Sequence, residues 1–375
     1  MSDNNRIDDP IGTAATDTAW TCESCGAALR FTVGTAELSC PYCGHRQAIA
    51  AVPRQVHEHP LAELQQLPAK PMAVPGGVRT FVCPGCRAVT ESEALSDRCQ
   101  FCATPLVADA SVTERVVPEA VVPFALDREA AREALRRWTS SRWFAPSSLK
   151  KVCEAETFKG TYLPHWTYDS ETRSDYRGER GDHYYVTETY QVTVNGNTET
   201  RTRQVQRTRW RRADGTVERF FDDVLVAGTT TVPNKQLDKL NPWPLDQAVP
   251  YQQEYLAGFR TLRYDVEPEA GLETAKQVMD AVIEEDCRED IGGDEQRVHE
   301  VATSYYATTF KLLLLPVWFL TYLHAGKPLQ VMVNARTGEV IGERPYSAAK
   351  ICAAVAAVLA VIGVVVAVVM ARSHH

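Results

Sequence analysis

Four Cys-x-x-Cys pairs fall within the first 102 residues of a 375-residue chain, and they constrain its fold more than any other feature. Cys22 and Cys25 are followed after 14 residues by Cys40 and Cys43, and Cys83 and Cys86 after 12 residues by Cys99 and Cys102. A two-residue gap lets both thiolates of a knuckle point at one ion. Two knuckles then complete a tetrahedral site with no open position. The separation of the knuckles is slightly below the roughly 15–20 residues of the general zinc template, which a short β-hairpin accommodates. The pattern predicts two four-cysteine zinc ribbons, at 19–50 and 80–108, each with one structural zinc ion. An iron centre of the rubredoxin kind and redox-active dithiols are the alternatives. Against dithiols, each pair has a partner pair and neither opens a βαβ unit.

Cys153, Cys287 and Cys352 are scattered. Close pairs plus isolated cysteines point to metal knuckles in a reducing compartment rather than to a disulfide framework. A closed site of four thiolates is structural, and its metal supplies on the order of 10 kcal/mol of folding free energy to so small a module. Function must then lie on the ribbon surface. The first ribbon sets Arg30 and Arg46 against Glu23 and Glu37, and the second sets Arg87 and Arg98 against Glu91, Glu93 and Asp97. With a net charge of -8 and no basic stripe on either ribbon, nucleic acid is the poorer partner and protein the better one.

At the other end, residues 351–371 read ICAAVAAVLAVIGVVVAVVMA, uncharged throughout and bracketed by Lys350 and Arg372. At about 1.5 Å per residue such a helix would span a ~30 Å hydrocarbon core. The expectation is a single-pass transmembrane helix over 350–371 with a short tail at 372–375. Arg336, Arg344 and Lys350 on the near side would place the N-terminal body in the cytosol. The location implied is the inner (cytoplasmic) membrane, tail-anchored. The start, MSDNNRIDDP, has no apolar signal-peptide core, and 1–18 reads as disordered. A second apolar run, LLLLPVWFLTYL, is too short to span and reads as a buried strand or strand pair.

Between these ends lie a Pro-rich linker at 51–79, with a short helix near Leu61, and a mixed α+β body at 116–347. Asp127 caps a helix through Trp138, and LETAKQVMDAVIEEDC has helical periodicity. Asn195-Gly196 marks the turn of a long β-hairpin. On its second strand Arg201, Arg203, Arg207, Arg209 and Arg211 share a face, read first as a solvated stripe paired to carboxylates and second as a contact for lipid phosphates or an acidic partner. A weak repeat relates Leu163-Pro164-His165-Trp166 to Leu315-Pro316-Val317-Trp318, so two α+β units sharing a core are expected. The predicted fold class is thus α+β multidomain: two ribbons, a mixed body with a hairpin and an internal duplication, and a C-terminal transmembrane helix.

No Gly-x-x-x-x-Gly-Lys-[Ser/Thr] loop, Gly-x-Ser-x-Gly elbow or His-Glu-x-x-His is present, the histidines are dispersed, and no catalytic residue is assigned. His165 reads as a packed core histidine.

The segments VVPFALDREAAREALRRWTSSRWFAPSSLKK, KGTYLPHWTYD, RGERGDHYYV, FDDVLVAG and LLPVWFLTYLHAGKPLQVMVNARTGEVIGERPYSAAK, with the knuckles upstream, resemble bacterial TFIIB-type zinc-ribbon membrane proteins. Members often carry labels such as primosomal protein N′ or replication-restart helicase, whereas this chain has no P-loop. The resemblance implies a relation to phage-shock-type and flotillin-like membrane-stress adaptors, and metal ligation by the eight paired cysteines alone. Together these readings predict a non-enzymatic, membrane-anchored adaptor in membrane-stress response that binds a cytosolic protein partner, for which the resemblance suggests a phage-shock-type or flotillin-like membrane protein, and contacts lipid through its terminal helix. The alternative is a membrane-tethered, nucleic-acid-associated factor in replication or transcription.

Overall fold

The computed structural model describes residues 20, 22–66, 79–82, 89–92, 107–108, 116–140, 158–194, 197–324, 327–342, 356 and 358–366. Strands β1 (Arg30–Thr32), β2 (Glu37–Ser39) and β3 (Arg46–Ala48) form a small antiparallel sheet in that order. After β4 (His59–Pro60) and a 3₁₀ turn (Leu61–Gln66), β5 (Arg79–Val82), β6 (Val89–Ser92) and β7 (Val107–Ala108) make a second, ordered β6-β5-β7. Then follow β8 (Ala120–Val121), α1 (Arg128–Ser140), β9 (Lys159–Val194), β10 (Asn197–Ala227), α2 (Asn234–Leu237), β11 (Val249–Pro250), β12 (Arg260–Thr261), α3 (Pro268–Ile291), β13 (Glu295–His324), β14 (Lys327–Asn334) and β15 (Val340–Gly342). Nine strands form one sheet whose main path is β10-β9-β13-β14-β15.

Three strands dominate it, with 36 residues in β9, 31 in β10 and 30 in β13. Their sequences explain why they persist. Over 170–178 the even positions of β9 are buried and the odd ones exposed, the period-two signature of a sheet with one solvated face. Over 161–168 every residue is buried, as is every residue of β13 from Phe310 to Leu320, because there the sheet is covered on both faces.

Helix α3 provides one cover. Leu272, Ala275, Met279, Ile283, Cys287 and Ile291 recur at three- and four-residue spacing and pack on Trp166, Tyr168, Tyr176 and Phe310. Each large apolar side chain so buried stabilises the fold by about 1.5–3 kcal/mol. Tyr168 donates its hydroxyl to Pro268 O (2.5 Å) and Trp166 donates Nε1 to Val266 O (2.8 Å), pinning the start of the helix. Across the fold, α1 begins where Asp127 Oδ1 accepts the Ala130 N–H (2.8 Å) and buries Ala131, Ala134 and Leu135.

Several expectations are corrected. The body is mostly β rather than mixed α+β. The two Leu-Pro-x-Trp segments lie side by side on neighbouring antiparallel strands of one sheet rather than in two separate α+β units, with Leu163 opposite Leu315 and Pro164 opposite Leu314. Among the described residues no helix is long and apolar enough to cross a membrane. Within the expected span the described helical residues are 356 and 358–366, and the rest of 350–371 lies outside the described residues. The transmembrane helix, the tail anchor and the inner-membrane location are therefore withdrawn. The N-terminal 1–18, the tail at 372–375 and the Asn195-Gly196 turn also lie outside the described residues.

The first part of the stretch expected as a linker, 51–79, lies against the body. Arg54 and the His57 N–H bond to Glu119, β4 pairs with β13, and Leu64 is buried beside α3 residues.

Candidate metal centre

The first ribbon builds a four-thiol site from two near-identical turns. In one, Cys22 N donates to Ala27 O (2.8 Å) and Gly26 N to Cys22 O (2.8 Å). In the other, Cys40 N donates to His45 O (2.8 Å) and Gly44 N to Cys40 O (3.0 Å). Gly26 and Gly44 both have φ of +74°, with nothing near a would-be Cβ, so backbone conformation alone selects glycine at the turn's end. Strand β2 leads straight into the second turn, which fixes the two knuckles against each other.

The Sγ atoms of Cys22 and Cys43 are 3.4 Å apart, as are those of Cys25 and Cys40, and all four lie within 4.8 Å of one another. A tetrahedral zinc with Zn–S near 2.3 Å requires sulfurs about 3.8 Å apart. Cys22, Cys25, Cys40 and Cys43 therefore form a cluster that could hold a metal ion.

The electrostatics divide the four. Burial raises the Cys22 thiol, but the N–H groups of Ser24 and Cys25 outweigh it and leave it below the ordinary value. The Cys43 N–H chiefly lowers Cys40, to about 6. The Ala27 N–H acts to lower Cys25, yet the sulfurs of Cys40 and Cys43 push it up to about 12. Cys43 is also raised, with the His45 N–H opposing and the Cys22 sulfur and burial prevailing. Each knuckle thus contributes one thiol disposed to ionise and one held protonated by neighbouring sulfur. A divalent cation removes that conflict and lets all four ionise.

The site does not hang on a free module. Leu29, Phe31, Leu38 and Ile49 join Cys22 and Cys40 in one buried cluster with Phe124, Tyr162 and Trp318 of the body. Phe31 packs edge-on to Tyr255 (5.3 Å), its N–H donates to Ala257 O (3.0 Å), and Gly34 N donates to Phe124 O (3.0 Å). The outward side carries Cys25, Cys43 and Tyr42, which is 83% exposed between the second pair of cysteines. An aromatic so exposed on a rigid turn is a feature that charge counting missed.

The second set, Cys83, Cys86, Cys99 and Cys102, lies outside the described residues, as do Cys153 and Cys352. The flanking β5, β6 and β7 pair antiparallel around β5. Cys287 is buried in the α3 face, and burial raises its thiol. His165 is buried, lowered to about 4 by desolvation, and packs near Trp243.

Sequence reading also missed a charged cluster inside the large sheet. Lys311, 6% exposed, forms ion pairs with Glu58 and with Asp223 Oδ1 (2.5 Å). Thr309 donates to Glu58 (2.9 Å) and Asp169 (3.3 Å), and Asp223 N donates to Asp169 Oδ1 (2.7 Å). Both neighbours of β9 break register at this level, between Phe221 and Val224 and between Tyr306 and Thr309. Asp223 and Ala307 there have φ of 52° and 48°. Burial raises Asp169 to about 7. Glu58, Asp169 and Asp223 meet the spacing for a cation site, but an ammonium already bridges two of them. The sequence signal was a lysine opening an apolar run.

The arginine stripe resolves largely into ion pairs. Arg203 and Arg207 share Glu188, Arg201 meets Glu199, Arg211 meets Asp182, and Arg209 lies over Tyr184 at 5.1 Å.

No family model matches the sequence, and no solved structure matches it. The chain is similar to the uncharacterized protein YdjG of Bacillus subtilis (strain 168), 24% identical over 350 residues that cover 89% of this chain and 92% of that protein.

Proposed function

We propose that the chain is a non-enzymatic protein-binding scaffold stapled by zinc, with one structural ion at Cys22, Cys25, Cys40 and Cys43 and a second at Cys83, Cys86, Cys99 and Cys102. The donor chemistry supports zinc, since four thiolates leave no open position and need no redox partner. The observation that carries the binding role is Tyr42. The ribbon turns its apolar side into the body and its metal knuckles outward, with an almost fully exposed aromatic at the tip. Tyrosines presented rigidly in this way are the residues that dominate protein interfaces. Neither knuckle of this ribbon carries a basic residue between its cysteines, which favours a protein partner over nucleic acid.

The test is recovery of cross-linked partners by the full chain in the presence of nuclease, beside Tyr42→Ala and Cys40→Ser/Cys43→Ser variants. The expected result is a discrete protein partner that survives nuclease, is weakened by about 2 kcal/mol or more in Tyr42→Ala with zinc content intact, and is lost in the cysteine variant. A partner lost on nuclease treatment, or retained in full by both variants, overturns the proposal.

A further inference from the structure

The sheet face that α3 covers does not stop where α3 stops. Strand β13 begins opposite Gly181, so from 182 to 194 strand β9 pairs with β10 alone. At about 3.3 Å per residue this leaves a two-stranded arm roughly 43 Å long. An isolated hairpin is marginally stable at best in water, and no described residue of the arm is buried.

The even positions of β9 that carry Trp166, Tyr168 and Tyr176 under α3 continue along the arm as Asp182, Tyr184, Val186, Glu188 and Tyr190. On β10, Arg209, Arg207, Arg203 and Arg201 stand opposite Asp182, Tyr184, Glu188 and Tyr190, and Arg211 stands opposite Arg180. These six arginines face three carboxylates (Asp182, Glu188, Glu199), a surplus of three positive charges on one face. The stripe's internal pairs do not cancel it.

Helix α3 is its complement. It carries eight carboxylates against Lys276 and Arg288. Its outward side exposes Glu273, Gln277, Val278, Ala281, Glu284 and Glu285. With 24 residues it is about 36 Å long, close to the length of the arm. The C-terminal end of α3 lies at the arm's base, where Gly292 and Gly293 approach Arg180, so helix and arm extend in opposite directions from one point. The molecule already joins these elements once in cis, where Arg219 of β10 makes a two-bond ion pair with Asp286 of α3 (both 2.5 Å).

We propose that the arm is a dimerisation element that lays its arginine face along the exposed side of α3 of a second copy of this chain. A two-fold axis through the arm's base sets each arm on the other copy's helix, giving the same contact twice. Pairing of two β10 edges is the competing way to dimerise. It would set the arginine rows side by side, and like charges on neighbouring strands oppose it.

The experiment measures mass by light scattering and sedimentation for the full chain. It includes Arg207→Glu/Arg209→Glu (arm reversed), Glu284→Arg/Glu285→Arg (helix reversed), an equimolar mixture of the two, and the milder Arg207→Gln/Arg209→Gln. The wild type is expected near twice 41.7 kDa, dissociating as salt is raised. Each reversed variant is expected at the mass of a single chain, the neutral variant to bind at least tenfold more weakly than wild type, and the mixture to return to the dimer. Only the mixed pair restores opposite charges across the interface, which a misfolded variant cannot do. A monomeric wild type overturns the proposal, including one whose arm arginines instead bind a nucleic-acid oligomer. Reversed variants that remain dimeric, or a mixture that stays monomeric while the neutral variant matches wild type, also overturn it.

Discussion

A lysine almost fully buried in a sheet is tolerated only because its charge is met on the spot. Replacing Lys311 by Met leaves Glu58, Asp169 and Asp223 around an apolar side chain, and the expected cost is about 3–5 kcal/mol at neutral pH by denaturant unfolding. Asp169 sets the sign of the pH response. Its folded value, about 7, lies above its ordinary 3.8, so the folded state holds that proton more tightly than the unfolded one. Its contribution to stability is present in full below about 3.8 and fades as pH rises through 7. Asp169→Asn should flatten that decline, measured as the unfolding midpoint between pH 5 and 8; an unchanged profile would show that Asp169 does not titrate there. His165 acts oppositely. Lowered to about 4 by burial, it must be charged on unfolding in acid, and stability falls as pH drops from 6.5 toward 4. The sequence suggested His165 as a core residue because of its aromatic neighbours. It could not reveal the Lys311 cluster, whose members lie up to 253 residues apart.

Among the elements, α3 and the long strands depend on close approach. A Cβ on Gly178 would lie 2.6 Å from both the Arg297 carbonyl oxygen and Ile291 Cδ1, so either β13 or the end of α3 would have to move. Gly178→Ala is expected to cost about 1–3 kcal/mol, and Met279→Ala in the helix core about 2–5 kcal/mol. Thermal unfolding checks both, and a Gly178→Ala protein as stable as wild type would mean the strand and helix are not held that tightly. Local signals foretold α3, the Asp127 cap and two alternating runs about Asn195-Gly196. Strand length was not legible, because alternation shows that a residue faces in or out but not how many partner strands continue beside it. The Leu-Pro-x-Trp likeness did not reveal that its two segments pair side by side, because a local match carries no information about which strands are neighbours.

At the scale of the whole molecule, the four-thiol cluster and its mounting matter most. Cys22, Cys25, Cys40 and Cys43 were legible from spacing alone, because the chemistry of a knuckle is local. Their docking was not, since it relies on Phe31 meeting Tyr255 and Ala257 more than 220 residues away in the chain. A ribbon fixed to the body couples metal to the stability of the cluster shared with Phe124 and Trp318. Chelation should therefore lower the unfolding midpoint of the body rather than merely loosen an appendage, which near-ultraviolet circular dichroism of the buried tryptophans can follow.

The most direct measurement is zinc content by elemental analysis, with X-ray absorption at the zinc edge, for the full chain and a Cys22→Ser/Cys40→Ser variant. About two zinc ions per wild-type chain, each with four sulfurs near 2.3 Å, and about one in the variant are expected. A wild type without tightly bound zinc, or a variant that keeps the wild-type content, would contradict this expectation.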